Sequence, residues 1–297
     1  MKKIPAFAVS GSAAEETLSV YSSYIIPSSS VRMVAHRGYS QIAPENTLPS
    51  FRQAGEYGFW GAECDISTTS DGIWVIMHDD TVDRMTDGEG KVSDFTYEEI
   101  GALTVDAGNN IDRYPGTRVP TLTEYLDVCK EYGMHPVIEI NGCAGVGNLE
   151  SLARLLNDRE EKDMFIIISF DRDICASIKK LMPETPVYII IGGAPGEEFS
   201  QTVQFALDNG LDGVDFAFVW GREWVRLTQK SGLKTMVWIA DDVKTAEKYF
   251  RMGVRDITTN SLTPVKPEGN LFQNAVRALR DFLYNTMMSI GNLFSFA

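Results

Sequence analysis

Three features of the sequence predict one (β/α)₈ barrel. Short apolar runs alternate with amphipathic segments from residue 31 to residue 259, eight of the runs are strand-like, and the series closes on a strand. A doubly wound open sheet is the other arrangement of such units, but no glycine-rich dinucleotide turn follows the first run. A chain of 297 residues with 44% hydrophobic content can bury one large core.

Residues 1–30 are small and polar and end in Ser28-Ser29-Ser30. They are expected to form an N-terminal arm on the barrel, without an active-site role. The barrel domain is expected over 31–263, with a first strand at 31–35. A helix over 47–57 follows: Asn46 or Thr47 can cap it, Pro49 suits its first turn, and Gly58 can end it. The second strand is expected at 61–66. Asp71-Gly72 is a turn signal, after which 73–77 runs extended to His78. Residues 79–118 break the alternation. They are rich in Asp and Gly, carry one plausible short helix (97–103), and read as an inserted subdomain over one mouth of the barrel.

Alternation resumes at Thr121-x-x-Glu124, a capping box. Leu122, Leu126 and Cys129 make an apolar helix stripe, with Gly133 as its stop. Strands are expected at 135–140, 164–170, 187–191, 214–219, 234–239 and 256–259. The helices between them fall at 149–156, on the stripe Ile174, Ile178 and Leu181 ended by Pro183, and at 199–207, 223–229 and 243–250. In 264–297, Phe272, Val276, Leu279, Leu283, Met287 and Ile290 keep a helical period, and the segment reads as the last barrel helix. It carries few basic residues (Arg277, Arg280), which makes a membrane role the weaker reading.

The net charge of −14 argues against a nucleic-acid partner and against bulk-charge binding to anionic lipid. An anionic substrate stays open, because a metal and Arg37 can reverse the local field. Cys64, Cys129, Cys143 and Cys175 show no metal-type spacing and read as buried free thiols in a reducing compartment. Met1-Lys2-Lys3 is not followed by the apolar core of a signal peptide. No run of about 20 apolar residues suits a spanning helix, so the expected location is cytoplasmic.

The chemistry gathers in two places. His36 and His78, two of only three histidines, each end an apolar run, and strand C-termini are where α/β barrels do chemistry. Between them, Glu63 and Asp65 stand at i and i+2 of a strand, on one face and roughly 6–7 Å apart at Cβ. Carboxylates that close repel unless a proton or cation lies between them, and a hard cation such as Mg²⁺ or Ca²⁺ is the natural partner. The bland alternative is that they cap loops through backbone N–H groups. Glu139, in the neighbouring third strand, adds a third carboxylate at the same end. His135 starts that strand, at the opposite end, and reads as structural.

His36-Arg37-Gly38, Pro44-Glu45-Asn46-Thr47, Ser50, Ala54, Gly58, Glu63-x-Asp65, Thr69-x-Asp71-Gly72, His78-Asp79, Arg84, Thr86, Val119-Pro120-Thr121-Leu122 and Glu139-Ile140 occur in this order. Order and spacing together resemble the glycerophosphodiester phosphodiesterases, over roughly residues 31–260. The resemblance implies that Glu63, Asp65 and Glu139 bind one divalent cation, Mg²⁺ or Ca²⁺, and that His36 and His78 are an acid–base pair. It implies a phosphate contact for Arg37. Glu45 is expected to position His36 or to reach the metal as an outer ligand. Trp238 is expected to pack on the substrate alcohol or, as an ordinary aromatic, in the core. Two positions depart from the family. Asn141 stands where a lysine is usual, and Thr258-Thr259-Asn260 stands where an aspartate is common. The implied reaction is hydrolysis of a small glycerophosphodiester to an alcohol and glycerol 3-phosphate. The alternatives are a lysophospholipase D-like activity on a larger lipid and a non-catalytic barrel that binds phosphate esters.

Overall fold

A computed structural model describes residues 31–141, 148–160, 162–192, 197–217 and 221–264. The expected N-terminal arm, Cys143 and nearly all of the expected C-terminal helix lie outside the described residues.

The strands are β1 (Arg32–Ala35), β2 (Gly61–Thr68), β3 (Trp74–Ile76), β4 (His135–Ile140), β5 (Ile166–Ser169), β6 (Val187–Ile191), β7 (Gly213–Phe216), β8 (Lys234–Val237) and β9 (Asp256–Thr259). The helices are α1 (Leu48–Tyr57), α2 (Tyr97–Ala102), α3 (Leu122–Tyr132), α4 (Leu149–Asn157), α5 (Arg172–Leu181), α6 (Glu197–Asp208), α7 (Arg222–Lys230) and α8 (Val243–Met252). Every strand except β3 lies parallel to its neighbours. β1 pairs with both β2 (Val34 to Gly61) and β9 (Arg32 to Asp256), which closes eight strands into the expected barrel. β3 is the exception: it returns antiparallel along the far end of β2, Ile66 opposite Ile76 and Thr68 opposite Trp74.

The side-chain period of two in the strands sorts the core. Val34, Val137, Ile166, Ile168, Tyr188, Ile190 and Met236 pack together in one buried cluster inside the barrel. Their neighbours along the strands, such as Ala35, Cys64, Ile138 and Ile167, pack instead with helix residues including Phe51, Leu126 and Cys175. The stripe expected on α5 is shifted: Ile174, Cys175 and Ile178 are buried, while Leu181, the last residue of the helix, is exposed. Residues after β3 have a core of their own, built from Val75, Met77, Val82, Met85, Val92, Ile100, Val105 and Val119.

Local signals set the helix ends as expected. The Thr47 side chain accepts from the backbone N–H of Ser50, and Gly58 stops α1 in the left-handed region (φ 77°). Thr121 and Glu124 complete their capping box. At the N-terminal end of the barrel Arg32 pairs with the buried Asp256 and lies over the Trp60 ring at 4.7 Å. His135 stacks on that ring at 4.0 Å and reaches the Met164 carbonyl through Nδ1 at 3.1 Å. This is the position expected for a structural histidine.

Candidate active site

β2 and β4 run in register, Glu63 opposite Val137 and Asp65 opposite Glu139. Glu63, Asp65 and Glu139 therefore meet inside the C-terminal mouth, each offering one carboxylate oxygen within 4.8 Å of the others. Burial and the neighbouring carboxylates push Glu63 well above the usual carboxyl range. Burial first, and Asp65 second, push Glu139 up to about 8. The Glu63 Oε1 atom is buried without a hydrogen-bond partner. A buried, under-partnered set of hard oxygen donors with excess negative charge fits one divalent cation.

The loop after β1 closes over this cluster. Arg37 sits at φ 56°, a left-handed conformation uncommon outside glycine. That turn brings its backbone N–H to Glu63 Oε2 at 2.8 Å. Its guanidinium reaches Asp65 (Nε to Oδ2, 3.2 Å) and Glu45 (2.8 Å). Gly38 follows in the same region (φ 73°), where an added Cβ would meet Ser50 at 2.3 Å, so only glycine fits the turn. Asn46, also left-handed at φ 56°, is not the helix cap. Its Nδ2 donates to Asp65 Oδ2 at 2.8 Å, and Thr47 caps α1 instead.

His36 lies between these groups and β9. Its Nδ1 is 2.8 Å from Asn260 Oδ1, its Nε2 is 4.0 Å from Glu63 Oε2, and its ring faces Trp238 at 6.4 Å. Burial, and then the Arg37 charge, lower its pKa from the ordinary histidine value. Phe170, half exposed at the end of β5, meets the Trp238 ring edge-on at 5.9 Å. Trp238 packs against the barrel-interior cluster at the same time.

His78 follows β3, and its Nδ1 bonds Asp79 Oδ1 at 2.6 Å. Arg84 holds Asp79 through Nε at 2.6 Å and drives that carboxyl down to about 2. Arg84 also binds Glu45 at 2.8 Å. Glu45 therefore bridges Arg37 and Arg84, whose two guanidiniums flank it. One chain of charge-assisted bonds thus runs from Arg37 through Glu45, Arg84 and Asp79 to His78. Asn141 donates from Nδ2 to the His78 carbonyl at 3.0 Å, committing its amide to backbone. Asp79, Arg84 and Asn260 were legible in the sequence as residues but not as contacts. Asp241 is absent from the residues read from the sequence, although a carboxylate just past a barrel strand is the signal that marks it.

Acidic oxygen donors beside imidazole and guanidinium groups at this mouth define a metal-assisted hydrolase barrel. The comparisons give the family. The model of the glycerophosphoryl diester phosphodiesterase family matches residues 36–263, and the chain belongs to that family of enzymes. A glycerophosphodiester phosphodiesterase of Caldanaerobacter subterraneus is 33% identical over 233 residues, covering 77% of this chain and 93% of the relative. Glycerophosphodiester phosphodiesterase 1 of Mus musculus is 42% identical over 123 residues, covering 41% of this chain and 37% of its own length. Among solved structures, an Oleispira antarctica phosphodiesterase in complex with sn-glycerol-3-phosphate superposes with a TM-score of 0.71. It is 27% identical, with 82% of this chain and 96% of that one covered. Among the described residues no helix is long and apolar enough to cross a membrane.

Proposed function

We propose that this enzyme hydrolyses small glycerophosphodiesters to a free alcohol and sn-glycerol 3-phosphate. The observation that carries the reading is the set of three carboxylates gathered at the C-terminal mouth of the barrel, with His36 Nε2 4.0 Å from Glu63. Glu63, Asp65 and Glu139 would hold one divalent cation, Mg²⁺ or Ca²⁺, which when bound polarises the phosphoryl group and lowers the pKa of a hydroxyl.

The remaining steps belong to the protein's own side chains. Arg37, already facing the carboxylates, offers a planar fork for the phosphoryl oxygens. One imidazole takes the proton of the neighbouring glycerol hydroxyl as that oxygen attacks phosphorus. The other protonates the departing alcohol oxygen, leaving a cyclic phosphate. Water then opens the ring with the two imidazoles in exchanged roles. Asp79, held by Arg84, orients His78 for this exchange. The product found with the Oleispira antarctica relative supports the glycerol 3-phosphate half of the substrate. Among the described residues Cys64, Cys129 and Cys175 are buried and in no disulfide, which supports a reducing, cytoplasmic setting.

Phe170, half exposed, and Trp238, partly buried, form an aromatic corner beside His36. This favours, as a second reading, substrates with a longer apolar group, as in lysophospholipase D chemistry. The test is release of glycerol 3-phosphate from glycerophosphocholine by EDTA-stripped protein with Mg²⁺ or Ca²⁺ restored, set beside a lysophospholipid. Metal-restored turnover that vanishes in Glu63→Ala is the expected result. Turnover indifferent to EDTA, or intact in Glu63→Ala, refutes the site. A lysophospholipid rate above the glycerophosphocholine rate selects the second reading.

A further inference from the structure

Behind His36 lies a second layer that the resemblance does not supply. Asn260, just past β9, ends the stretch Thr258-Thr259-Asn260 in which an aspartate is common in the family, and its Oδ1 is 2.8 Å from His36 Nδ1. The Ser40 hydroxyl donates to the same oxygen at 3.1 Å. On its other side the Asn260 Nδ2 donates to Asp241 Oδ2 at 2.7 Å. Asp241, in the loop after β8, is itself fixed: its Oδ1 accepts the Asn260 backbone N–H at 2.7 Å and the Thr259 hydroxyl at 3.0 Å.

The chemistry of these donors determines the proton positions. Both carboxylate oxygens of Asp241 accept, so the amide atom turned to Asp241 is the NH₂ and the atom turned to His36 is the carbonyl oxygen. A carbonyl oxygen can only accept, so His36 Nδ1 carries the hydrogen. In the neutral ring, the lone pair then sits on Nε2, the nitrogen nearer the Glu63 carboxylate.

We infer that Asp241 and Asn260 are positioning residues for His36: an Asp241–Asn260 relay fixes the Nδ1–H tautomer and so confines proton exchange to Nε2. The inference rests on the reading of His36 as a member of the acid–base pair.

In Asp241→Asn the surviving Oδ1 keeps its two donors and an NH₂ replaces Oδ2. Donor then faces donor, and a half-turn of the Asn260 amide relieves it. That half-turn presents an NH₂ to His36 Nδ1, which must become the acceptor and pass its hydrogen to Nε2. In the swapped pair Asp241→Asn with Asn260→Asp, the residue-241 amide donates to the residue-260 carboxylate. That carboxylate again accepts from Nδ1–H.

The experiment is ¹⁵N NMR of histidine-labelled, metal-loaded protein together with steady-state kinetics on glycerophosphocholine. His78 Nδ1 faces Asp79 and His135 Nδ1 faces the Met164 carbonyl, so these two rings serve as unchanged controls. The expected wild-type signal is Nδ1–H at His36. In Asp241→Asn it moves to Nε2–H, with kcat down about 10- to 100-fold and KM within about twofold, a share of the full acid–base contribution. The swapped pair restores both readouts. An Nε2–H wild-type ring overturns the relay, as does an Asp241→Asn protein with unchanged tautomer and kcat, or a swapped pair as slow as the single variant. Wild-type protein without turnover overturns the functional reading instead, and the tautomer signals still decide the relay.

Discussion

Replacing Glu139 by glutamine should stabilise the metal-stripped protein at alkaline pH, relative to wild type, and leave the two alike at acid pH. Burial and Asp65 raise this carboxyl from its ordinary 4.5 to about 8. Between those values the unfolded chain gives up the proton while the folded chain keeps it. The folded state binds more protons, and stability falls as pH rises. The contribution is whole below about pH 4.5, is lost across the window up to about pH 8, and is constant above it. At about 1.4 kcal/mol per unit, the ceiling is about 5 kcal/mol. Asp65 and Glu63 share the charge, so a loss of about 2–5 kcal/mol is expected. The glutamine side chain carries no titrating proton, so the variant is spared this loss. The assay is urea unfolding in EDTA at pH 5 and pH 8, for wild type and Glu139→Gln. Glu63 titrates in both proteins, so the readout is their difference, small at pH 5 and at least about 2 kcal/mol in favour of the variant at pH 8. Equal differences at the two pH values would refute the picture of a carboxyl kept protonated by its surroundings. The same variant should lose metal-restored turnover, separating its gain in stability from its loss of a cation ligand.

Other expectations follow from single contacts. Arg84→Met frees both Glu45 and Asp79, and kcat should fall about tenfold with the melting temperature nearly unchanged, as read by steady-state kinetics beside a thermal melt. Asp215 is buried inside the barrel with Oδ1 unpartnered and its carboxyl raised well above the usual range. Asp215→Asn should therefore raise the melting temperature more at pH 8 than at pH 5, a difference scanning calorimetry would detect. Arg32→Met strands the buried Asp256 carboxylate and should cost about 2 kcal/mol in urea unfolding, after allowance for the exposure of Arg32. Because Arg32 lies at the far end of the barrel from the carboxylate cluster, kcat should not change.

Period and punctuation made most of the barrel legible. Gly58 and Gly133 stop their helices where left-handed stops were expected, and Glu63, Asp65 and Glu139 converge because strand register follows from which face is buried. What stayed hidden was the identity of each polar side chain's partner. Asn46 could cap a helix or hold a carboxylate, and a one-residue change of cap decides between them. Glu45 could serve the metal or the arginines, and Arg84, nearly forty positions downstream, decides that only in three dimensions. The relay behind His36 joins three loops of the chain, and no local pattern encodes it.

β2 is eight residues long, and its outer end, Ile66–Thr68, pairs with β3. Glu63 and Asp65 belong to the stretch Gly61–Ile66, clamped against β4, whereas His78 is delivered from the return strand and its separate apolar core. One imidazole of the proposed acid–base pair is thus built into the barrel and the other is mounted on an attachment. Lengthening, trimming or repacking residues 79–118 would leave the carboxylate cluster where it is and change the angle from which His78 meets the substrate. On the proposed reading, substrate range would drift through the attachment while the carboxylate half of the site stays fixed.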